Sequence, residues 1–169
     1  STGRIIVGLL STVIVAVYVY GSGRLVTTDQ QWFRSLLKPA WQPPRFVPAL
    51  IWPYNFALLV TASWIVASRI SGTQQLVWLA CLALSVLAAL SWASLFFKSH
   101  SLLPSSIALV FASLFTIPLL VISFRASFAL GIAFVPYQIW LAIATSLAFG
   151  YASQKYVYQE LYPQHFSDI

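Results

Sequence analysis

Four indoles, Trp52, Trp64, Trp92 and Trp140, stand about six residues or more inside long apolar stretches, deeper than the interfacial belt where Trp usually gathers. An indole at that depth offers two kinds of chemistry. Its flat face stacks on another ring, and its N–H needs a polar neighbour or a ligand acceptor. Other chemistry is scarce. The three carboxylates, Asp29, Glu160 and Asp168, lie outside the apolar stretches and cannot form a buried acid/base pair. His100 and His165 fall in a turn and in the tail and read as solvated polar residues. With the single Cys81, a small apolar packer, they make a poor metal set. No glycine-rich phosphate loop is present, and no apolar stretch carries an ionisable residue at its middle, which excludes an ion relay. The sequence offers no catalytic residues and no metal ligands.

The composition says what surrounds these indoles. Hydrophobic residues make up 60% of the 169 residues and charged residues 7%, with a formal net charge of +6. A soluble domain carries roughly 25% charged residues. So few charges cannot cover a water-soluble globule, which excludes a soluble enzyme domain, a coiled coil and a disordered tail. One cysteine excludes an intrachain disulfide scaffold. The nine basic residues are spread singly along the chain, not clustered, so a nucleic-acid partner is excluded. They read as caps on membrane helices that meet anionic headgroups.

The elements that must position the indoles are membrane spans. A helix needs about 20 apolar residues to cross a bilayer. Five stretches qualify, at roughly 5–20, 46–68, 76–97, 103–124 and 128–151, and we read residues 1–169 as one all-α integral membrane domain. The first stretch has no small-residue cleavage signal behind it and reads as a helix of the folded protein rather than a leader. Arg4, Arg69, Lys98, Arg125 and Lys155 sit at the ends of the spans. Three connections are short and force antiparallel neighbours. The connection Gly21–Arg45 holds 25 residues, among them Trp32, Trp41, Pro39, Pro43 and Pro44. Its aromatic content argues against disorder, and we expect an ordered lid or short helix at the membrane surface. Three basic residues on the N-terminal side against six on the other favour a cytoplasmic long loop and C-terminus. Trp78, Tyr18, Tyr20, Tyr151, Tyr156 and Tyr158 are expected as interfacial anchors, and residues 159–169 as a frayed tail.

Three motifs then align. Trp32-Phe33-Arg34-Ser35-Leu36-Leu37-Lys38-Pro39-Ala40-Trp41-Gln42-Pro43-Pro44 resembles the first-loop signature of the translocator protein family, the tryptophan-rich sensory proteins, which reads Trp-Tyr-x-x-Leu-x-Lys-Pro-x-Trp-x-Pro-Pro. Trp52 follows at the family's spacing for a second-helix Trp, with Phe56 where Tyr is usual. Trp92-Ala93-Ser94-Leu95-Phe96-Phe97 resembles its Trp-Ser/Pro-x-x-Phe-Phe, and Pro136-Tyr137-Gln138-Ile139-Trp140 its Pro-Tyr-x-x-Trp. The resemblance covers the whole chain.

The resemblance implies a five-helix bundle with a cavity closed by the first loop, binding porphyrins, sterols or synthetic benzodiazepine-type ligands, often as a homodimer. It places Trp52, Trp92 and Trp140 at the cavity, with Phe56 and Tyr137 beside them. No cofactor is required; a bound porphyrin, sterol or lipid is the expected guest. Porphyrin propionates would meet Arg34, Lys38 or Arg45 at the membrane surface. Two departures stand out. Ala89 and Ala148 occupy positions where the family commonly has Asn, and the loss of two amides implies a drier pocket. Leu147-x-x-x-Tyr151-x-x-x-Lys155 fits a proposed sterol-contact pattern, although interfacial anchoring also accounts for it. Small residues recur at Ser85, Ala89 and Ala93, at Ala142, Ser146 and Gly150, and at Ala108 and Ala112. Packing within the monomer is the first expectation for them, and a dimer seam through the Ser85 stripe the second. Binding a hydrophobic ligand for sensing, transport or regulation is the expected function. The alternatives are light-dependent porphyrin breakdown and an accessory structural role in a larger membrane complex.

Overall fold

The structure, a computed structural model, describes residues 1–161, with residues 155–160 described by their backbone alone. The elements are α1 (Thr2–Val26), α2 (Gln30–Ser35), α3 (Phe46–Arg69), α4 (Thr73–Ala93), α5 (Leu102–Ala126) and α6 (Phe128–Leu161). A π-helical turn, Ser94–Lys98, carries α4 onward. Among the described residues there is no strand, and five helices are long and apolar enough to cross a membrane. The chain is a five-span, all-α integral membrane protein. Of the expected frayed tail, residues 159–161 belong to α6, and the rest, 162–169 with His165, lies outside the described residues, as do the side chains of Tyr156 and Tyr158.

α1 packs on α3 and α4, α4 on α5, and α5 on α6, while α3 meets α5 and α6 along shorter stretches. Each spanning helix buries a stripe. On α4 it is Trp78, Leu82, Ser85, Val86, Ala89 and Ala93, the three- and four-residue spacing of one helical face. The opposite faces are apolar too: Ile5, Leu9, Val13 and Val17 of α1 stand exposed. Helices that are apolar all round belong in lipid, where small residues and polar pairs, not a water-driven core, set the packing.

The first span runs beyond Tyr20 to Val26. Gly21 does not end the helix; a Cβ there would lie 2.9 Å from Leu90 Cδ2, so the glycine lets α1 and α4 approach closely. Ser22 Oγ donates to the Tyr18 carbonyl at 2.6 Å and keeps its hydroxyl inside the helix. Two expected interfacial anchors are core residues instead. Trp78 is fully buried and donates its indole N–H to Ser63 Oγ at 3.2 Å, and Tyr18 is buried with its hydroxyl 3.2 Å from that of Tyr137. Nearness to a helix end does not say which face a residue occupies; these two face the bundle. Tyr20, as expected, is exposed.

The Ser85, Ala89 and Ala93 stripe is buried within the bundle, so it packs helices of one chain. That is the first of the two expectations for it, packing within the monomer, while Leu84 and Leu87 of the same helix face outward. At the end away from the long loop, Arg4 donates to the Ser68 carbonyl at 2.8 Å and Arg69 to the Ala126 carbonyl at 3.2 Å. Each arginine caps the open C-terminal carbonyls of a neighbouring helix. Pro136 removes a backbone donor inside α6, and the Tyr54 hydroxyl of α3 donates to the Ala133 carbonyl in that turn.

Candidate functional site

The long connection is built from local signals. Asp29 adopts a left-handed conformation (φ 49°) and its carboxylate accepts the Trp32 backbone N–H at 3.2 Å, which starts α2. The short helix ends at Ser35, and the chain then passes through a turn at Pro39–Gln42, closed by the Gln42 N–H donating to the Pro39 carbonyl at 3.1 Å, and on to Pro44 before α3 begins. Pro39 is buried, because Gly150 of α6 leaves room for it. A Cβ on Gly150 would sit 2.8 Å from Pro39 Cγ and 2.9 Å from Trp41 Cζ2. Trp41 donates its indole N–H to Ser146 Oγ at 3.2 Å, and Tyr151 donates its hydroxyl to the Gln42 side chain. The small residues Ser146 and Gly150 therefore seat the loop, not another helix.

Below this loop lies a cavity of about 490 Å³. It lies among α3, α4 and α6, at the end of the bundle that carries the loop. α6 contributes Trp140, Ala144, Leu147, Ala148 and Tyr151, which share one helical face and span about 16 Å of axis. α3 contributes Pro48 and Trp52, one turn apart. From α4 come Trp92, Phe96 and Phe97, and the last two fall in the π turn. The wider turn puts adjacent phenylalanines on the buried side together, as π segments at functional sites often do. Phe33 of α2 joins them, 5.9 Å from Phe96 and 5.5 Å from Phe97 between centroids. Val26, Thr27 and Gln30, with Arg34, Gln42, Pro43 and Arg45, form the mouth.

Behind Trp52 is an aromatic support. Phe56 lies 5.6 Å from Trp52, and Tyr18 stands edge-on to both at 6.0 Å and 5.1 Å. Tyr137, one turn before Trp140, holds the Tyr18 hydroxyl. Phe56 and Tyr137 thus back the cavity without lining it, and Tyr18, which the sequence hid among the interfacial tyrosines, is the residue that joins them.

Five of the seven indole N–H groups fall into two sets. Trp41, Trp64 and Trp78 each donate to a hydroxyl, of Ser146, Thr12 and Ser63 respectively. Trp92 and Trp140, both at the cavity, have buried N–H groups with no partner among the described residues. A buried donor left unpaired costs about 1–3 kcal/mol, so these two are placed to receive an acceptor.

The remaining sequence candidates divide cleanly. Trp52, Trp92, Trp140, Ala148, Pro43, Leu147 and Tyr151 line the cavity. Ala89 is buried in the core and does not reach it, so only one of the two alanines standing for Asn changes the cavity wall. Leu147 and Tyr151 face the cavity and not the bilayer, contrary to an interfacial anchor; the Lys155 side chain lies outside the described residues. Trp32, Trp41, Pro39 and Pro44 belong to the loop but not to the lining. Lys38 is exposed and also away from the lining, unlike Arg34 and Arg45. His100 is not simply solvated: its ring stacks on Trp32, and its Nε2 lies 3.2 Å from Asp29 Oδ2. Among the described residues no three His, Cys, Asp or Glu side chains gather as a metal set.

The geometry can be set beside known proteins. Residues 10–153 match the model of the TspO/MBR family. The chain is 29% identical to a Bacillus subtilis protein named uncharacterized membrane protein YtaB, over 85% of this chain and 94% of that one. It is 28% identical to protein CrtK of Rhodobacter capsulatus, over 83% and 89%. It is 32% identical to the tryptophan-rich sensory protein of Cereibacter sphaeroides, over 76% and 78%.

Proposed function

The chain belongs to the TspO/MBR family, and on that footing we propose that its cavity holds a flat, apolar, ring-shaped ligand of the tetrapyrrole or sterol class, for sensing, transport or regulation. The observation that carries this reading is the pair of buried, unpartnered indole N–H groups of Trp92 and Trp140 at one aromatic cavity. Its volume, about 490 Å³, falls in the range of small-molecule sites. Burying about 400 Å² of apolar ligand surface is worth on the order of 10 kcal/mol before the costs of association. The indoles add stacking, and no buried charge is needed.

The loop acts as the lid over this guest. Its seat on Gly150 and Ser146 and the bond from Tyr151 to Gln42 are each breakable without unfolding a span. We place the lid end in the cytoplasm, following the excess of basic residues there.

Quenching of tryptophan fluorescence, titrated with protoporphyrin, tests the reading. Trp52→Ala and Trp140→Ala weaken binding by tenfold or more, on the order of 1.4 kcal/mol each, while helicity is retained. Unchanged affinity in both variants refutes it.

A further inference from the structure

The mouth of the cavity has a chemistry of its own. Arg34, in the last turn of α2, and Arg45, immediately before α3, both line it, together with the amides of Gln30 and Gln42. Neither arginine has an acidic partner among the described residues; the acid described there, Asp29, faces His100. α3 also starts without a side-chain cap; its Val47 N–H donates to the Pro44 carbonyl at 3.0 Å and Pro48 brings no N–H, so what the start of this 24-residue helix offers behind Arg45 is the positive end of its dipole. A cation at a helix N-terminus opposes the helix dipole, and an anion placed between them satisfies both. Further in, the wall turns to aromatic and aliphatic side chains with the two orphan indole donors. The lining is thus polarised, with positive charge at the surface and rings inside.

We propose that this site selects an acidic amphiphile: Arg34 and Arg45 hold an anionic oxygen group at the mouth while the apolar body lies against Trp52, Trp92 and Trp140. Lys38, although in the same loop, takes no part, because it does not line the cavity. The anion is either a carboxylate carried by the guest or the phosphate of an anionic lipid that enters the mouth, since both offer the same oxygens to a guanidinium. The inference rests on the cavity being a ligand site and adds which end of the ligand is recognised and by what.

Two arms of one experiment separate these sources. In nanodiscs of phosphatidylcholine, protoporphyrin and its dimethyl ester are titrated against the wild type and against Arg34→Gln, Arg45→Gln and the double variant, with Arg24→Gln as control. Native mass spectrometry then compares retained phosphatidylglycerol and phosphatidylcholine for the same proteins. The lysine variants Arg34→Lys and Arg45→Lys keep the charge and guard against loss of fold. A guest carboxylate gives about tenfold tighter binding of the free acid than of the ester, a gap that closes in the double glutamine variant, survives in Arg24→Gln and is partly kept by lysine. A lipid headgroup gives equal binding of acid and ester but selective retention of phosphatidylglycerol, lost in the double glutamine variant. Equal binding with no selective retention overturns the inference and leaves the cavity reading standing. If neither porphyrin binds, the tetrapyrrole reading fails, and the lipid arm alone upholds or overturns the anion site.

Discussion

The indole of Trp32 lies flat on the imidazole of His100, with ring centroids 3.9 Å apart and planes 8° from parallel. One ring belongs to α2 in the lid and the other to the turn between α4 and α5. Asp29, which starts α2, reaches the same histidine. Both Asp29 and His100 hold left-handed backbone conformations, at φ 49° and 57°, which Asx and His tolerate better than most residues. The lid is therefore tied to the bundle at one joint by a stacked pair and a short polar contact.

That joint sets the lid's opening. His100→Asn removes the ring and keeps a residue that tolerates the left-handed conformation. We expect amide exchange over residues 28–36 to speed up about threefold to tenfold, in line with an aromatic pair of roughly 0.5–1.5 kcal/mol, with α4 and α5 unchanged. Equal exchange in the variant would show that the stack does not hold the lid.

The second attachment is Gly150. Gly150→Ala brings a methyl against Pro39 and Trp41, and the loop must move because the near atoms belong to a proline ring and an indole. Faster tryptic cleavage after Arg34 is the expected readout. An unchanged cleavage rate contradicts the seat described here.

The two alanines at the family's Asn positions respond differently. Ala89→Asn places an amide in the closed core and lowers stability by about 1–3 kcal/mol, seen as a clear fall in Tm. Ala148→Asn adds an amide to the cavity wall and leaves Tm nearly unchanged, altering ligand affinity instead. Equal falls in Tm would show that both positions are core.

The hydroxyl pair of Tyr18 and Tyr137 calls for a double-mutant cycle. Each single Phe variant strands one buried hydroxyl and costs about 1–3 kcal/mol; the double variant costs less than the sum because both partners leave together. Additive costs, read by thermal unfolding, would mean that the two hydroxyls do not interact.

Much of this molecule was legible in its sequence. Spans are set by length and hydropathy, which are local properties, so five helices and a long first connection follow directly. Trp52, Trp92 and Trp140 announced themselves by depth. What stayed hidden depends on partners distant in the chain. Tyr18 and Trp78 lie near helix ends, and their burial follows only once Tyr137 and Ser63 face them. Gly21 reads as a break until Leu90 packs against it. His100 gains its role from Asp29 and Trp32, which come from the other side of two spans. The π turn at Ser94–Lys98 has no marker in a run of small and aromatic residues, yet it brings Phe96 and Phe97 together at the cavity.

The central claim is that the orphan indole N–H groups of Trp92 and Trp140 receive a ligand acceptor. Trp92→Phe/Trp140→Phe keeps both aromatic surfaces and removes both donors. Titration followed by the porphyrin absorbance band should show protoporphyrin bound at least tenfold more weakly than by the wild type, in a protein of unchanged helicity, as two lost hydrogen bonds of about 1 kcal/mol each require. Affinity equal to that of the wild type would contradict the account.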